Sequence, residues 1–283
     1  MWIKLQKNQH DNVLLIHMGG LGDVCLSESV FYSLSLYYKK KIKALGIKKY
    51  LSLFSQYFES IENIESLRWL FLFSEEKRDV TWKKIVLVGK DKNGTLRKRF
   101  QSFSRETILF IDMYPDEEKV HVEDYQLGQL RTSGYQAVKK EITPNLKPLV
   151  ILYPEISIKK RKWEYTNFLE LERRLKEKKV PTILLRQRDS KSLIPFGIEI
   201  EELSQLKSFL ESKGGIFVSN DSGVAHLAGS CGLYTVTIFI DTDPKVWHPR
   251  GNNISLTLEE SNINLARVEH TIFHIFSIFF SKS

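Results

Sequence analysis

The sequence predicts an α/β fold made of two Rossmann-like domains, with parallel sheets that face a central cleft. Three observations lead to this prediction. The chain has 283 residues, about twice the length of a typical domain. Short apolar runs alternate with segments of helical periodicity along most of the chain. A Pro-containing stretch at 143–148 interrupts that alternation near the middle.

The composition is that of an ordinary folded protein. Hydrophobic residues make up 42% and charged residues 27%, which excludes wholesale disorder and a multi-span membrane protein. The net charge of +8 suits an anionic partner such as a nucleotide, nucleic acid or acidic lipid, without choosing among them. Cys25 and Cys231 lie in apolar stretches, which is typical of buried, reduced thiols in a cytoplasmic protein. No apolar run is long enough for a membrane span, and we expect no export signal.

The first half, residues 1–145, is predicted to form an N-terminal domain. Apolar runs indicate strands at 13–18, 85–89 and 108–113. Helical patterns follow from about Asp23 to Lys41 and over 122–135. Residues 47–78 give no clear pattern.

The second half, residues 146–262, repeats the same alternation and predicts a C-terminal domain. Strands are expected at 149–153, 182–186, 215–219 and 235–240. Helices are expected at 165–178, 203–212 and 224–230. An amphipathic helix follows at 263–281, whose simplest interpretation is packing on a domain core, with a membrane-surface tip as the alternative.

A glycine-rich turn follows the first strand, where Gly19, Gly20 and Gly22 precede Asp23. The spacing fits neither a dinucleotide fingerprint nor a P-loop. Such a turn lets a ligand approach main-chain N–H groups at the start of a helix. Two roles for Asp23 stay open, a helix cap and a catalytic base, because both require a carboxylate at this place.

A polar block opens the helix after the strand at 215–219. Asp221, Ser222 and Gly223 stand at the helix start, which suits a diphosphate, and His226 lies one turn further along. A basic run that includes Lys160 and Arg161 follows the first strand of the second half. It is either a solvated loop or a cationic clamp on a departing diphosphate.

These segments together resemble glycosyltransferase family 9, the ADP-heptose:lipopolysaccharide heptosyltransferases. The most specific resemblance is Asn-Asp-Ser-Gly-Val-Ala-His-Leu-Ala-Gly-Ser-Cys-Gly at 220–232, followed by Thr-Asp-Pro at 242–244 and Trp-His-Pro at 247–249. Weaker ones are Gly-Asp-Val at 22–24, the segment 121–127 and Arg-Lys-Trp at 161–163. They run in family order over most of the chain.

The resemblance implies a GT-B fold, with the acceptor bound mainly by the first domain and the nucleotide-sugar by the second. The final helix, 263–281, is expected to pack back on the first domain. Asp23 would be the general base of an inverting transfer of heptose or a related sugar, most simply from ADP-heptose, to a lipopolysaccharide core or other glycan. Donor contacts would come from a set of six residues: Lys160, Arg161, Asp221, Ser222, Gly223 and His226.

The implied partners are a nucleoside-diphosphate sugar and an anionic glycan or glycolipid acceptor at the inner face of the cytoplasmic membrane, and no nucleic acid. No cofactor and no metal are expected, although Asp241 and Asp243 spell a D-x-D pattern that leaves a weak Mg²⁺ site open. A second hypothesis is a non-catalytic relative with a degenerate donor site, because Glu155, Ile240 and Asp241 depart from the family pattern. The basic stretch 90–99 is either a solvated loop or an acceptor-facing patch.

Overall fold

The computed structural model describes residues 8–76, 78–154, 163–186, 196–257 and 265–280. They form two compact units, 1–140 and 141–283, whereas the sequence places the boundary at 145/146. The difference has a local cause in Asn145. Its N–H donates to the Gly232 carbonyl and its own carbonyl accepts from the Gly215 N–H, each at 2.8 Å, so the residues just before 146 belong to the second unit.

The first unit contains a five-stranded sheet in which every described strand pair is parallel. The strand order is β3-β2-β1-β4-β5. Its strands are β1 Asn8–His17, β2 Ile42–Gly46, β3 Ser60–Asn63, β4 Val80–Gly89 and β5 Leu109–Asp112. Its helices are α1 Leu21–Leu26, α2 Glu28–Tyr37, α3 Lys48–Leu51, α4 Thr95–Gln101 and α5 Val122–Thr132, with 3₁₀ segments at Ser52–Tyr57 and Leu67–Leu72.

Strand β1 is central because its apolar run has neighbours on both sides. The side chains of 13–16 are essentially inaccessible to solvent, as a strand buried on both faces requires. The chain order reverses at this strand, since β2 pairs with one edge and β4 with the other. In open parallel sheets ligands bind at the carboxyl ends of strands where the order reverses, so the turn after His17 occupies that position.

One predicted helix of the first unit is in fact two. Instead of running from Asp23 to Lys41, the helical segment breaks at Ser27, which ends α1 and precedes α2 with φ −87° and ψ 1°. Serine competes with helical structure through its side chain, and here the hydroxyl is hydrogen-bonded to His17 on β1. Helix α2 stops at Tyr37 because Lys39 and Lys40 adopt left-handed φ angles of 51° and 62°.

The second unit contains a six-stranded sheet of order β11-β10-β9-β6-β7-β8, again parallel in every described pair. Its strands are β6 Val150–Tyr153, β7 Thr182–Arg186, β8 Ile198–Glu199, β9 Ile216–Asn220, β10 Tyr234–Phe239 and β11 Asn253–Thr257. Its helices are α6 Tyr165–Glu177, α7 Leu203–Lys213, α8 Gly223–Ser230, α9 Pro244–Trp247 and α10 Leu265–Phe280. The order reverses between β6 and β9, so the polar block at 220–223 follows a strand at the reversal point.

The last helix, α10, packs on the second unit. The sequence analysis expected it to pack back on the first domain. Val268, Ile272 and Ile275 are buried in the same apolar cluster as residues of α6 and β10. Glu269 also forms ion pairs with Lys178 at 2.7 Å and Arg174 at 3.5 Å. Periodicity shows that a helix has an apolar face but does not identify the surface it covers. Among the described helices, none is long and apolar enough to cross a bilayer.

Candidate functional site

The glycine turn after β1 and the side chain of Asp23 fit closely against each other. The Gly20 N–H donates to Oδ2 of Asp23 at 2.9 Å, which satisfies one of the unpaired N–H groups at the start of α1. A methyl group on Gly19 would lie 2.4 Å from Cβ of Asp23, closer than real Cβ contacts. Gly19 is therefore required for space, while Gly22 lies inside α1 next to the acid.

Asp23 caps the start of α1, and the pKa of its carboxyl is also shifted in the direction that suits a general base. Burial raises the pKa of its carboxyl, and the hydrogen bond from Gly20 acts in the opposite direction. A carboxylate with a raised pKa is a better proton acceptor near neutral pH than an ordinary aspartate. The cap contact is thus real, and it leaves the side chain suited to general-base chemistry.

His17, the last residue of β1, was not singled out by the sequence analysis. Its Nδ1 accepts the Gly19 N–H at 3.2 Å, and its Nε2 lies 3.1 Å from Oγ of Ser27. The ring is 1% exposed, and burial lowers the pKa of His17 to about 3. A lone histidine in an apolar run carried no separate signal, so only the tertiary structure identifies these contacts.

The low pKa of His17 predicts a loss of stability on acidification. The unfolded chain binds a proton at His17 below about pH 6.5, whereas the folded chain does not until about pH 3. The free energy of unfolding therefore decreases as the pH is lowered from about 6.5 to about 3. Between about pH 7 and pH 5 this contribution is about 2 kcal/mol. Urea unfolding at both pH values should show a smaller loss for His17→Asn than for the wild type.

The exposed histidine His274 on α10 provides the control for that measurement. His274→Asn is expected to keep the full loss between the two pH values. An equal loss in the wild type and in His17→Asn would contradict the prediction.

The polar block of the second unit forms the amino-terminal end of α8. Ser222 is the N-cap, with an extended backbone and Oγ accepting the Ala225 N–H at 3.3 Å. Asp221 is held by its own N–H, which donates to the Ile238 carbonyl at 2.9 Å. The Thr242 hydroxyl donates to Oδ2 of Asp221 at 2.6 Å, so two loops at the ends of β9 and β10 are joined at this carboxylate.

Gly223 and His226 complete this block on α8. Gly223 is the first residue of the helix, where its main-chain N–H lies in the turn that attracts anions. Nε2 of His226 is 3.8 Å from Oδ1 of Asp221, and its side chain is largely buried whereas that of Asp221 is partly exposed. The structure thus brings the four predicted residues 221, 222, 223 and 226 to one helix end.

The neighbouring Asn220 is hydrogen-bonded to the main chain of Trp163, two residues before α6 begins. Its Oδ1 accepts the Trp163 N–H at 2.9 Å and its Nδ2 donates to the Trp163 carbonyl at 3.2 Å. Both residues are buried, and the Trp163 ring packs edge-to-face on Phe168 with centroids 4.7 Å apart. Lys160, Arg161 and Glu155 lie outside the described residues.

Asn220→Ala should lower the free energy of unfolding by about 1 to 3 kcal/mol, because it removes both hydrogen bonds from its side chain to the buried main chain of Trp163. Urea denaturation monitored by tryptophan fluorescence measures the change. Asn145→Ala, which removes an exposed side-chain bond to the Glu211 carbonyl, is the matched control and should cost less than about 1 kcal/mol. Equal losses in the two variants would show that the Trp163 contact adds no stability.

The D-x-D pattern has a structural role in the described residues. Oδ1 of Asp243 accepts the Lys245 N–H at 2.9 Å and caps α9. Within the part of the chain that the structure describes, no group of His, Cys, Asp and Glu is arranged to hold a metal ion. Thr242 between the two acids is the residue that contacts Asp221.

The basic stretch 90–99 is engaged in contacts inside the first unit. Lys90 pairs with Asp112 at 3.0 Å and with Asp116 at 3.1 Å. Arg97 pairs with Asp91 at 3.1 Å. Arg99 donates to main-chain carbonyls of the segment 71–76. These contacts favour a structural role for those cations over an acceptor-facing patch.

The first unit also has a cavity that the sequence analysis did not find. Its volume is about 550 Å³, and it lies where β2 and β3 end, beside α3. Helix α3 contacts α1, the helix of Asp23. The lining residues are Ile47, Lys48, Lys49, Tyr50, Asn63 and Glu65. They fall in the stretch 47–78, where the sequence shows no periodicity that would place them.

Comparison with known proteins agrees with this arrangement. The model of glycosyltransferase family 9 (heptosyltransferase) matches residues 27–273. The chain belongs to glycosyltransferase family 9. Comparison with curated proteins gives no significant match. The resemblance drawn from the motifs is confirmed, and the protein is a glycosyltransferase of the heptosyltransferase family.

Solved structures show the fold of the family 9 chain. Escherichia coli heptosyltransferase WaaC with ADP has a TM-score of 0.69 at 12% identity, over 93% of this chain and 99% of that one. E. coli ADP-heptose lps heptosyltransferase II has a TM-score of 0.66 at 15% identity, over 93% and 98%. A family 9 glycosyl transferase from Veillonella parvula has a TM-score of 0.65 at 14% identity, over 95% and 92%. The predicted GT-B fold is confirmed.

Proposed function

We propose that this family 9 protein is an inverting glycosyltransferase that transfers heptose or a related sugar from a nucleoside-diphosphate donor to a lipopolysaccharide core or other glycan. ADP-heptose is the proposed donor. The observation that carries the proposal is the turn that holds Asp23. A carboxylate with a raised pKa follows the strand where the sheet order reverses, and the glycine turn on its amino-terminal side packs closely against it.

In the proposed reaction, Asp23 accepts the proton of an acceptor hydroxyl. The hydroxyl oxygen forms a bond to the anomeric carbon as the bond from that carbon to the diphosphate oxygen breaks. Attack from the face opposite the leaving group inverts the configuration. The base is needed because a neutral sugar hydroxyl is a weak nucleophile.

The second unit is proposed to bind the donor and to stabilise the leaving diphosphate. The main-chain N–H groups at the start of α8, with Ser222 and Gly223, suit the phosphate oxygens. Asp221 and His226 are proposed to contact the donor's sugar and diphosphate, with Asp221 oriented by Thr242. Arg161, with Lys160, is proposed to neutralise the charge on the departing group.

The acceptor is proposed to bind the first unit. The cavity at the ends of β2 and β3 offers two lysines beside a tyrosine, an asparagine and one glutamate. The two lysines suit a sugar carrying an anionic group. An anionic glycan or glycolipid at the inner face of the cytoplasmic membrane remains the proposed acceptor. The basic excess of the chain would favour approach to such a surface.

The direct test is release of ADP from ADP-heptose in the presence of a lipopolysaccharide inner-core acceptor. A thermal-shift screen with ADP-, GDP- and UDP-sugars comes first, because a ligand that binds the native state raises its apparent stability. The expected result is a shift with the ADP-sugar and turnover with the core acceptor. Donor binding without turnover on a broad acceptor panel would favour the non-catalytic alternative, and a shift only with another nucleotide would reassign the donor.

A further inference from the structure

We propose that His17 is a positioning residue for Asp23, because Nδ1 of its imidazole holds the glycine turn whose next main-chain N–H is bonded to the acid. The kinetic part of this inference rests on the proposed function, whereas the structural part does not. Gly19 stands just before the N-cap of α1, and Ser27 is the residue that ends it. Both are hydrogen-bonded to the same ring.

The two hydrogen bonds require one tautomer of the ring. A main-chain N–H can only donate, so Nδ1 of His17 must be unprotonated to accept from Gly19 at 3.2 Å. The proton then resides on Nε2, which donates to Oγ of Ser27 at 3.1 Å. Burial lowers the pKa of His17 to about 3, so the ring keeps this neutral form near neutral pH.

The ring has little freedom to move away from these partners. It packs edge-to-face on Phe31 of α2 with centroids 5.6 Å apart. The main chain of His17 is also confined, because a methyl group on Gly46 would lie 2.7 Å from its carbonyl oxygen. His17 is therefore a fixed point from which the glycine turn extends.

The link from His17 to Asp23 runs through two consecutive peptide units. His17 holds the N–H of Gly19, and the next N–H in the chain, that of Gly20, donates to Oδ2 of Asp23 at 2.9 Å. Cα of Gly19 also lies against Cβ of Asp23, with no room for a methyl group between them. If Gly19 turned away from the ring, the Asp23 carboxylate would lose the hydrogen bond from Gly20 and its packing against Gly19 together.

Two substitutions separate the two ring nitrogens. His17→Asn places a carbonyl oxygen where Nδ1 stands, so it can still accept from Gly19. His17→Gln places its amide further out, where it reaches Ser27 and not Gly19. We expect His17→Asn to keep kcat near the wild-type value, and His17→Gln to lower kcat by up to about 100-fold with the KM for the ADP-sugar unchanged.

A second readout requires no turnover. Amide hydrogen exchange of Gly19 and Gly20, measured by NMR, should be accelerated in His17→Gln and unchanged in His17→Asn. Ser27→Ala is the matched control. It removes the other partner of the ring and costs stability, and it should leave both kcat and Gly19 exchange near the wild-type values.

Three results would overturn the inference. One is equal kcat and equal Gly19 exchange in the asparagine and glutamine variants. Another is a Ser27→Ala variant as impaired in kcat as His17→Gln. The third is an observation on the wild type: a ¹⁵N NMR spectrum that places the ring proton of His17 on Nδ1. An inactive wild type would instead count against the proposed function, because the exchange and tautomer measurements would still decide the role of His17.

Discussion

Asp23→Asn is expected to lower kcat by about 10²- to 10⁴-fold, the usual contribution of a general base, while the KM for the donor and the unfolding midpoint change little. The asparagine keeps an oxygen that can accept the Gly20 N–H, so the cap is retained and only the proton-accepting ability is lost. The measurement is steady-state release of ADP with saturating acceptor, together with donor affinity by calorimetry.

Asp91→Asn is the matched control for the base. Asp91 also follows the carboxyl end of a strand of the first unit, and its carboxylate accepts the Leu96 and Arg97 N–H groups. The Asp91→Asn variant is expected to be less stable than the wild type and to keep the wild-type kcat.

In the wild type, kcat/KM should fall as the pH drops through the pKa of Asp23. The fall should lie at a higher pH than an ordinary aspartate would show, since burial raises that pKa. Full activity in Asp23→Asn would contradict the assignment of the base.

Asp221→Ala is expected to raise the KM for the donor by about 10- to 100-fold. Hydrogen bonds to a charged group contribute about 1.5 to 3 kcal/mol, and this carboxylate is already oriented by the Thr242 hydroxyl at 2.6 Å. The main-chain bond from Asp221 to Ile238 survives the substitution, so the loop keeps its course. Donor affinity measured by calorimetry on the wild type and the variant gives the change directly.

The double variant Asp221→Ala/Thr242→Val tests whether the two side chains act as one unit. Thr242→Val alone should weaken donor binding because it leaves Asp221 without the hydroxyl that orients it. The double variant should then be no weaker than Asp221→Ala, since residues in one hydrogen-bond network are not additive. Strict additivity would mean that Thr242 acts on the donor independently of Asp221.

The second unit was predicted more completely than the first, for a reason that lies in its strands. Strand β7 has the predicted bounds, β6 begins one residue later than predicted, and β9 and β10 are each shifted by one residue. Each of these strands contains a short apolar stretch, Val-Ile-Leu in β6, Ile-Leu-Leu in β7, Ile-Phe-Val in β9 and Ile-Phe in β10, which makes it visible without any partner. Helix α8 follows from the polar N-cap block directly before it.

The strands that the sequence analysis missed have mixed polarity or lie at a sheet edge. β3 is Ser-Ile-Glu-Asn, partly exposed along its length, and β11 contains Asn, Ser and Thr. Their backbone partners come from β2 and β10, so it is pairing and not composition that makes them strands. The cavity that β3 helps to form was missed with it.

The sequence by itself determined which chemistry the chain carries: an acid behind a glycine turn, a polar helix start behind a strand, and the alternation that builds two parallel sheets. The tertiary structure alone decided how these groups are held. The contact between Asn220 and Trp163 joins positions 57 residues apart, and α10 covers the second unit. His17 reaches both ends of α1 only because α1 ends at Ser27. Local patterns record propensity and amphipathicity, whereas hydrogen bonds between distant residues exist only once the sheet has brought them together.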